Sequence, residues 1–187
     1  MALITPETPL KFLNAGGVSP NQGFKWKLPT ADGPGEWMRD YKTKPLLCQR
    51  GWHWCEARHS LGWLAAECYV IEPRGVIVQG DDKNVSQGAR LLRRVDAWNE
   101  TTARLFAADC AEAVVHLCGD DPRPRAAIDT ARRFARGTAT RDELAAAGAA
   151  ARDAAWAAAR DAARDAAWAA RAAQVIRFLQ YLNGEIA

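Results

Sequence analysis

The run ARDAAWAAARDAARDAAWAA, residues 151–170, decides the reading of the C-terminal half. It contains neither proline nor glycine and consists mostly of alanine and arginine, two of the strongest helix formers, so it predicts a long helix. The same pattern extends from Thr140 to Leu182, with Gly148 as the one glycine. Arg152, Asp153 and Trp156 recur as Arg164, Asp165 and Trp168. That spacing turns the second copy by roughly 120° at about 100° per residue, so the repeat does not form one straight stripe. A helical projection instead gathers Ala155, Ala158, Ala162, Ala166 and Ala173 on one face and Trp156, Arg160, Arg164, Trp168 and Arg171 on the other. The alanine face suits close approach of a neighbouring backbone. The opposite face sets Trp156 against Arg160 and Arg164 against Trp168 at i,i+4 spacing, which suits cation–π contact. It reads either as a solvated face or as a binding surface.

Upstream, Thr140-Arg-Asp-Glu143 has the capping-box form for this helix. A shorter helix is expected over Arg125–Arg136, closed by Gly137, after the break Asp120-Asp-Pro-Arg-Pro-Arg125. Before it, Trp98, Leu105, Phe106, Cys110, Val114 and Leu117 recur at helical spacing, predicting a helix from near Asp96 to Gly119. The helical period is read as starting near Asp81, with RLLRRV at 90–95 inside it. The second half is therefore expected to hold three or four antiparallel helices.

Residues 1–82 are rich in glycine, proline and aromatics, and read as short strands with loops. Leu10–Leu13, Phe24–Leu28, Cys68–Ile71 and Val76–Val78 are apolar runs bounded by turn residues, and the last two predict a hairpin across Glu72-Pro-Arg-Gly75. The expected fold is α+β: a β-rich domain at 1–85 packed on an α-helical domain at 86–187. In the front domain, Cys48, His53, Cys55 and His59 are all side chains that zinc accepts, but no C-x₂-C pair is present. The reading is of buried thiols and a hydrogen-bonded histidine, with no metal and no cofactor.

Nearly half of the chain is hydrophobic, enough for a substantial core. No stretch of about 18 apolar residues occurs, so no membrane role is expected. Five cysteines, an odd number, argue against a secreted disulfide framework and for a cytoplasmic protein. The net charge of +3 is too small for a nucleic-acid footprint, so no specific nucleic-acid partner is expected.

Asp109-Cys-Ala-Glu112, Asp121-Pro-Arg-Pro-Arg125, Ala131-Arg-Arg-Phe-Ala-Arg-Gly137 and the ARDAAWAA segments together resemble an immunity-protein family of bacterial polymorphic toxin systems, over about residues 96–175. The front half resembles an uncharacterised domain with a Gly-x-His-x-Cys signature from actinobacterial and phage proteins, present here as Gly51-Trp-His-Trp-Cys55. Neither resemblance implies a catalytic mechanism. Together they imply a non-enzymatic binding protein that neutralises a target, in immunity or phage counter-defence. The target is expected to be a protein effector or a small anionic, nucleotide-like ligand stacked by tryptophans and forked by arginines. The candidate binding residues are Trp52, His53, Trp54, Trp98, Asn99, Arg123, Arg125, Trp156, Arg160, Arg164 and Trp168. Asp109, Glu112 and Asp121 are charged motif members beside them. Two other classes stay open: a nucleotide-processing enzyme of ADP-ribosyl-transfer type using His53 and Glu56, and a self-assembling homodimer paired through the alanine face.

Overall fold

The structure, a computed structural model, describes residues 3–158 and 166–186, with side chains described except at 152–158, 166–170 and 172. It is a mixed α+β protein that divides into two compact units, Met1–Trp98 and Asn99–Ala187. The boundary falls later than the expected 85/86. Residues 84–94, read from RLLRRV as the start of helical periodicity, instead form a strand. Their apolar positions Val85, Ala89 and Leu91 are fully buried against other strands. Tertiary pairing overrides a period that a short run cannot specify.

Four strands build the first unit: β1 (Pro9–Leu13), β2 (Trp52–Glu56), β3 (Glu67–Gln79) and β4 (Asn84–Arg94). They close into a barrel in the order β1-β2-β4-β3, every pair antiparallel. The expected hairpin at Glu72–Gly75 is absent. β3 runs straight through Pro73-Arg-Gly75 with register irregularities at Val70/Ile71 and Arg74/Ile77, and the hairpin turn lies between β3 and β4 instead. Gly75, at φ +73°, absorbs the irregularity as a bulge residue would, and the Val76 N–H is taken by the Gln87 side chain. Proline is tolerated at 73 because Ala89 opposite it gives its carbonyl to the Met38 N–H on the other side, so no ladder bond needs an N–H there.

The expected strand at Phe24–Leu28 is likewise a loop. The loops are tied down individually. Glu67, buried at the start of β3, accepts hydrogen bonds from the Gly16 and Gly17 amides at 3.2 and 3.0 Å and from the Tyr69 hydroxyl at 3.0 Å. A second loop runs beside β4 through Gly35 N–H to Leu91 O, Met38 N–H to Ala89 O and Tyr41 N–H to Gln87 O. These ties lay Trp26, Met38 and Tyr41 on a core of Leu13, Trp52, Trp54, Tyr69, Ile71, Ala89 and Leu91. Each large apolar side chain buried in this way contributes about 1.5–3 kcal/mol.

The second unit holds α1 (Glu100–Val114), α2 (Pro122–Ala135), α3 (Arg141–Ala158) and α4 (Ala166–Leu182). Asn99 caps α1 in a reciprocal capping box with Thr102, so the helix starts later than Asp96; it ends in a short 3₁₀ turn before Gly119. Asp121 caps α2 and Pro122 occupies its first turn. The expected box at α3 is present: Glu143 N–H donates to Thr140 Oγ1 at 3.2 Å, and Thr140 N–H donates to Glu143 Oε2 at 2.6 Å. α1 and the 3₁₀ turn after it pack on α2 through Ala108, Val115, Ile128 and Ala131, and α1 packs on α4 through Phe106 with Phe178 and Tyr181. The expected single helix across 140–182 is described in two parts, and residues 159–165 between them lie outside the described residues. No helix among the described residues is long and apolar enough to cross a membrane.

Candidate functional site

Strand alternation sorts the Gly-x-His-x-Cys segment. Trp52 and Trp54 point to the face that carries Lys11 and Leu13, while His53 and Cys55 share the other face with Leu10 and Val85. The segment can lie this close to β4 because position 51 is glycine. It sits at φ +122°, and a Cβ there would run into Val85 Cγ2 and lie 2.9 Å from Pro45 Cβ.

Around this strand opens a cleft of about 640 Å³, lined by Phe24, Trp26, Tyr41, Trp52, Trp54 and Trp63, with Lys11, His53 and Lys83. Its size is that of a small-molecule site. Trp52 is the hub of the aromatic wall, with Phe24, Trp26 and Tyr41 meeting it edge-on at 5.0, 5.0 and 5.7 Å. Its indole N–H is satisfied by Arg39 O at 3.0 Å, and that of Trp26 by Ser19 Oγ at 3.0 Å. Trp54 differs. It is 8% exposed, and its indole N–H has no partner among the described residues. A buried donor without a partner costs about 1–3 kcal/mol.

The polar groups are cationic or neutral. Lys11 Nζ donates to His53 O at 2.8 Å and lies 5.3 Å from the Trp26 ring centre. It forms no ion pair with a carboxylate among the described residues, and burial lowers its pKa from 10.5 to about 8. Lys83 Nζ sits 4.8 Å from the Trp63 ring and 3.9 Å from the exposed Asp82 carboxylate. His53 is pushed toward its neutral form by burial first and by Lys11 second. Its Nε2 accepts the Cys48 N–H at 2.9 Å, and the ring also bonds the Gly51 backbone. Both roles hold it still rather than free it to move protons.

Cys55 is no nucleophile. Burial raises its thiol pKa to about 11, and the sulfur contacts Leu10 O and Ser60 Oγ. Glu56 lies on the opposite face of β2 from His53 and pairs with Arg58, so the two are not assembled into an acid–base pair. Among the described residues no three His, Cys, Asp or Glu side chains gather as a metal site.

Of the sequence-derived candidates, Trp52, His53 and Trp54 come together in the cleft. Trp98 is 2% exposed and its indole bonds Ala65 O at 2.9 Å, which makes it a core anchor. Asn99 is the α1 cap. Arg123 forks onto Asp121, whose carboxyl it holds down to about 2, and Arg125 pairs with Glu112 at 3.3 Å. The side chains of Trp156, Arg160, Arg164 and Trp168 lie outside the described residues, and with them the alanine face as a dimer surface. Lys11, Trp26, Tyr41 and Trp63 were not singled out from sequence. A charge between Leu10 and Phe12 in a five-residue apolar strand was the available signal for Lys11.

A second cavity of about 450 Å³ lies in the helical unit, lined by small apolar residues such as Ala107, Ala111, Ala127 and Ala131. It offers almost no polar group to orient a ligand. Compared with protein-family models, curated proteins and solved structures, the chain matches none of them.

Proposed function

We propose that this is a non-enzymatic binding protein that neutralises its target by sequestering a small, anionic, nucleotide-like ligand in the aromatic cleft of the first unit. The observation that carries the reading is a half-buried ammonium, Lys11, without a carboxylate, set in a cleft walled by aromatic rings. A phosphate supplies a counter-charge for Lys11, and a base supplies a flat surface for stacking worth about 1–3 kcal/mol. The locked His53 and the protonated Cys55 favour holding a ligand over transforming it. The resemblances noted in the sequence support a role in immunity or phage counter-defence, in the cytoplasm, with the helices of the second unit forming an antiparallel bundle.

Equilibrium dialysis and tryptophan quenching with ATP, ADP-ribose and a cyclic dinucleotide test this. Adenosine and ribose 5-phosphate supply the base-only and anion-only controls. At least one nucleotide is expected to bind on the order of tenfold or more tighter than either control, with the advantage lost in Lys11→Met. Absence of nucleotide binding, or equal binding by a folded Lys11→Met variant, overturns the proposal.

A further inference from the structure

The chain has six lysines, and Lys25, Lys27, Lys42 and Lys44 are exposed. Lys83 has Asp82 beside it. Lys11 alone combines partial burial, a place in the cleft lining and no carboxylate partner. One of its N–H groups is engaged by His53 O, which fixes the amine in position, and the Trp26 face lies alongside. A lysine held this way in an apolar pocket is the usual setting for Schiff-base chemistry.

From this geometry we infer that Lys11 is a covalent capture site, whose amine forms an imine with an anionic, planar aldehyde held against the aromatic wall. The inference rests on the proposed cleft reading for its ligand class. In the step, the amine lone pair forms a C–N bond to the aldehyde carbon, and a proton passes from nitrogen to the former carbonyl oxygen. The hydroxyl of the resulting carbinolamine then takes up a proton and leaves as water while the nitrogen lone pair closes the C=N bond, and the remaining N–H proton returns to the solvent. No oxidant or reductant is consumed, and hydrolysis reverses the step. Lowering of the Lys11 pKa to about 8 makes neutral amine on the order of a hundredfold more abundant near pH 7.5 than on an exposed lysine. On the face of the strands that carries Lys11 stand Glu56 of β2, which pairs with Arg58, Glu67 of β3, which is taken up by the Gly16 and Gly17 amides and the Tyr69 hydroxyl, and Tyr69, which burial keeps neutral. His53 and Cys55 lie on the other face of β2, both neutral because burial shifts His53 down and Cys55 up, and Lys83 shares the cleft lining.

Pyridoxal 5′-phosphate, a flat aldehyde with a phosphate, is the probe, used on the full chain. Reduction with borohydride and peptide mapping should place one adduct on Lys11, formed at least about tenfold faster than at the four exposed lysines, with a rate that levels off above pH 8. Lys11→Arg should lose the adduct, and the wild-type chain should bind pyridoxine 5′-phosphate, which lacks the aldehyde. Mapping on the wild-type chain carries the test even where that variant folds poorly. Adducts spread evenly over the exposed lysines, or none at all, overturn the inference. Binding of pyridoxine 5′-phosphate without a Lys11 adduct removes covalent capture and leaves the cleft reading intact. A Lys11 adduct in a protein that binds no nucleotide upholds capture and removes the nucleotide reading.

Discussion

Asp109 in the helical unit and Lys11 in the barrel unit treat a partly buried charge in opposite ways. In the helical unit, Asp109 on α1 receives Arg132 from α2 at 2.9 Å and, from α4, Arg177 at 2.8 Å and the Tyr181 hydroxyl at 2.8 Å. Burial alone would raise the Asp109 carboxyl, but these donors outweigh it and hold the group below its ordinary value. Glu112 adds contacts to Arg132 and Arg125 at 3.3 Å. In the barrel unit, Lys11 and the Trp54 N–H are set among aromatic rings with no such answer. A cross-linked network of charges is how a fold fastens its helices together. Polar groups left unanswered in an apolar cleft lower stability, and are retained where an incoming molecule supplies the partner.

The largest expected effect lies on the fastened side. Asp109→Ala strands the partly buried Arg132 and removes the acceptor for Arg177 and Tyr181, which should cost about 3 kcal/mol in denaturant unfolding. Ligand binding in the barrel unit should be unchanged; a parallel loss there would end the contrast between the units. The sign with pH follows from the depressed carboxyl. Its contribution is fully present above the ordinary value of 3.8 and disappears as pH falls through the lower folded value, so the variant and wild type should converge in acid.

Lys11→Met should move stability the other way. Replacing a half-buried, unpaired ammonium by an apolar chain of similar length is expected to stabilise by about 1–2 kcal/mol at pH 7, net of the bond lost to His53 O. Because the folded pKa lies near 8 and the unfolded value near 10.5, the unfolded chain binds more protons in that window and wild-type stability rises with pH there. The gap should narrow between pH 8 and 9. Above pH 9 the Cys55 thiol, raised to about 11, acts in the opposite sense. Melting curves at pH 7, 8 and 9 decide it, and a destabilised variant at pH 7 would show Lys11 to be structural.

Asn99→Ala removes the side-chain acceptor of the Thr102 N–H, leaving the Asn99 backbone N–H to Thr102 Oγ1 half of the box, and should cost about 1 kcal/mol without altering ligand binding. Loss of binding would return Asn99 to the site. Arg125→Gln, at a pair 60% and 38% exposed, should shift stability by less than about 0.5 kcal/mol. A larger shift would mean that the Glu112 contacts act as part of the Asp109 network.

The α+β division and the helix cap at 140 were legible in sequence because proline, glycine and capping residues act locally. The aromatic strand Trp52–Trp54 was singled out for its composition, and the cleft does form around it. What was not legible depends on pairing between distant segments. β4 showed as a helical period because the burial of Val85, Ala89 and Leu91 is set by β2 and β3. The turn residues Pro73-Arg-Gly75 gave no sign that they pair with Gly88 and Ala89 across a ladder. Lys11 looked like an ordinary strand lysine until His53, forty-two residues away, was beside it.

The edge-on arrangement of Phe24, Trp26 and Tyr41 about Trp52, with ring planes tilted by 63–69°, has an optical consequence. Aromatic transitions held at these separations in a fixed, asymmetric array couple to one another and give near-ultraviolet circular dichroism that vanishes when the packing loosens. The far-ultraviolet signal comes chiefly from the helices of the other unit. One spectropolarimeter therefore reads the two units in separate wavelength bands, and melting the chain while recording both distinguishes a single cooperative transition from two independent ones.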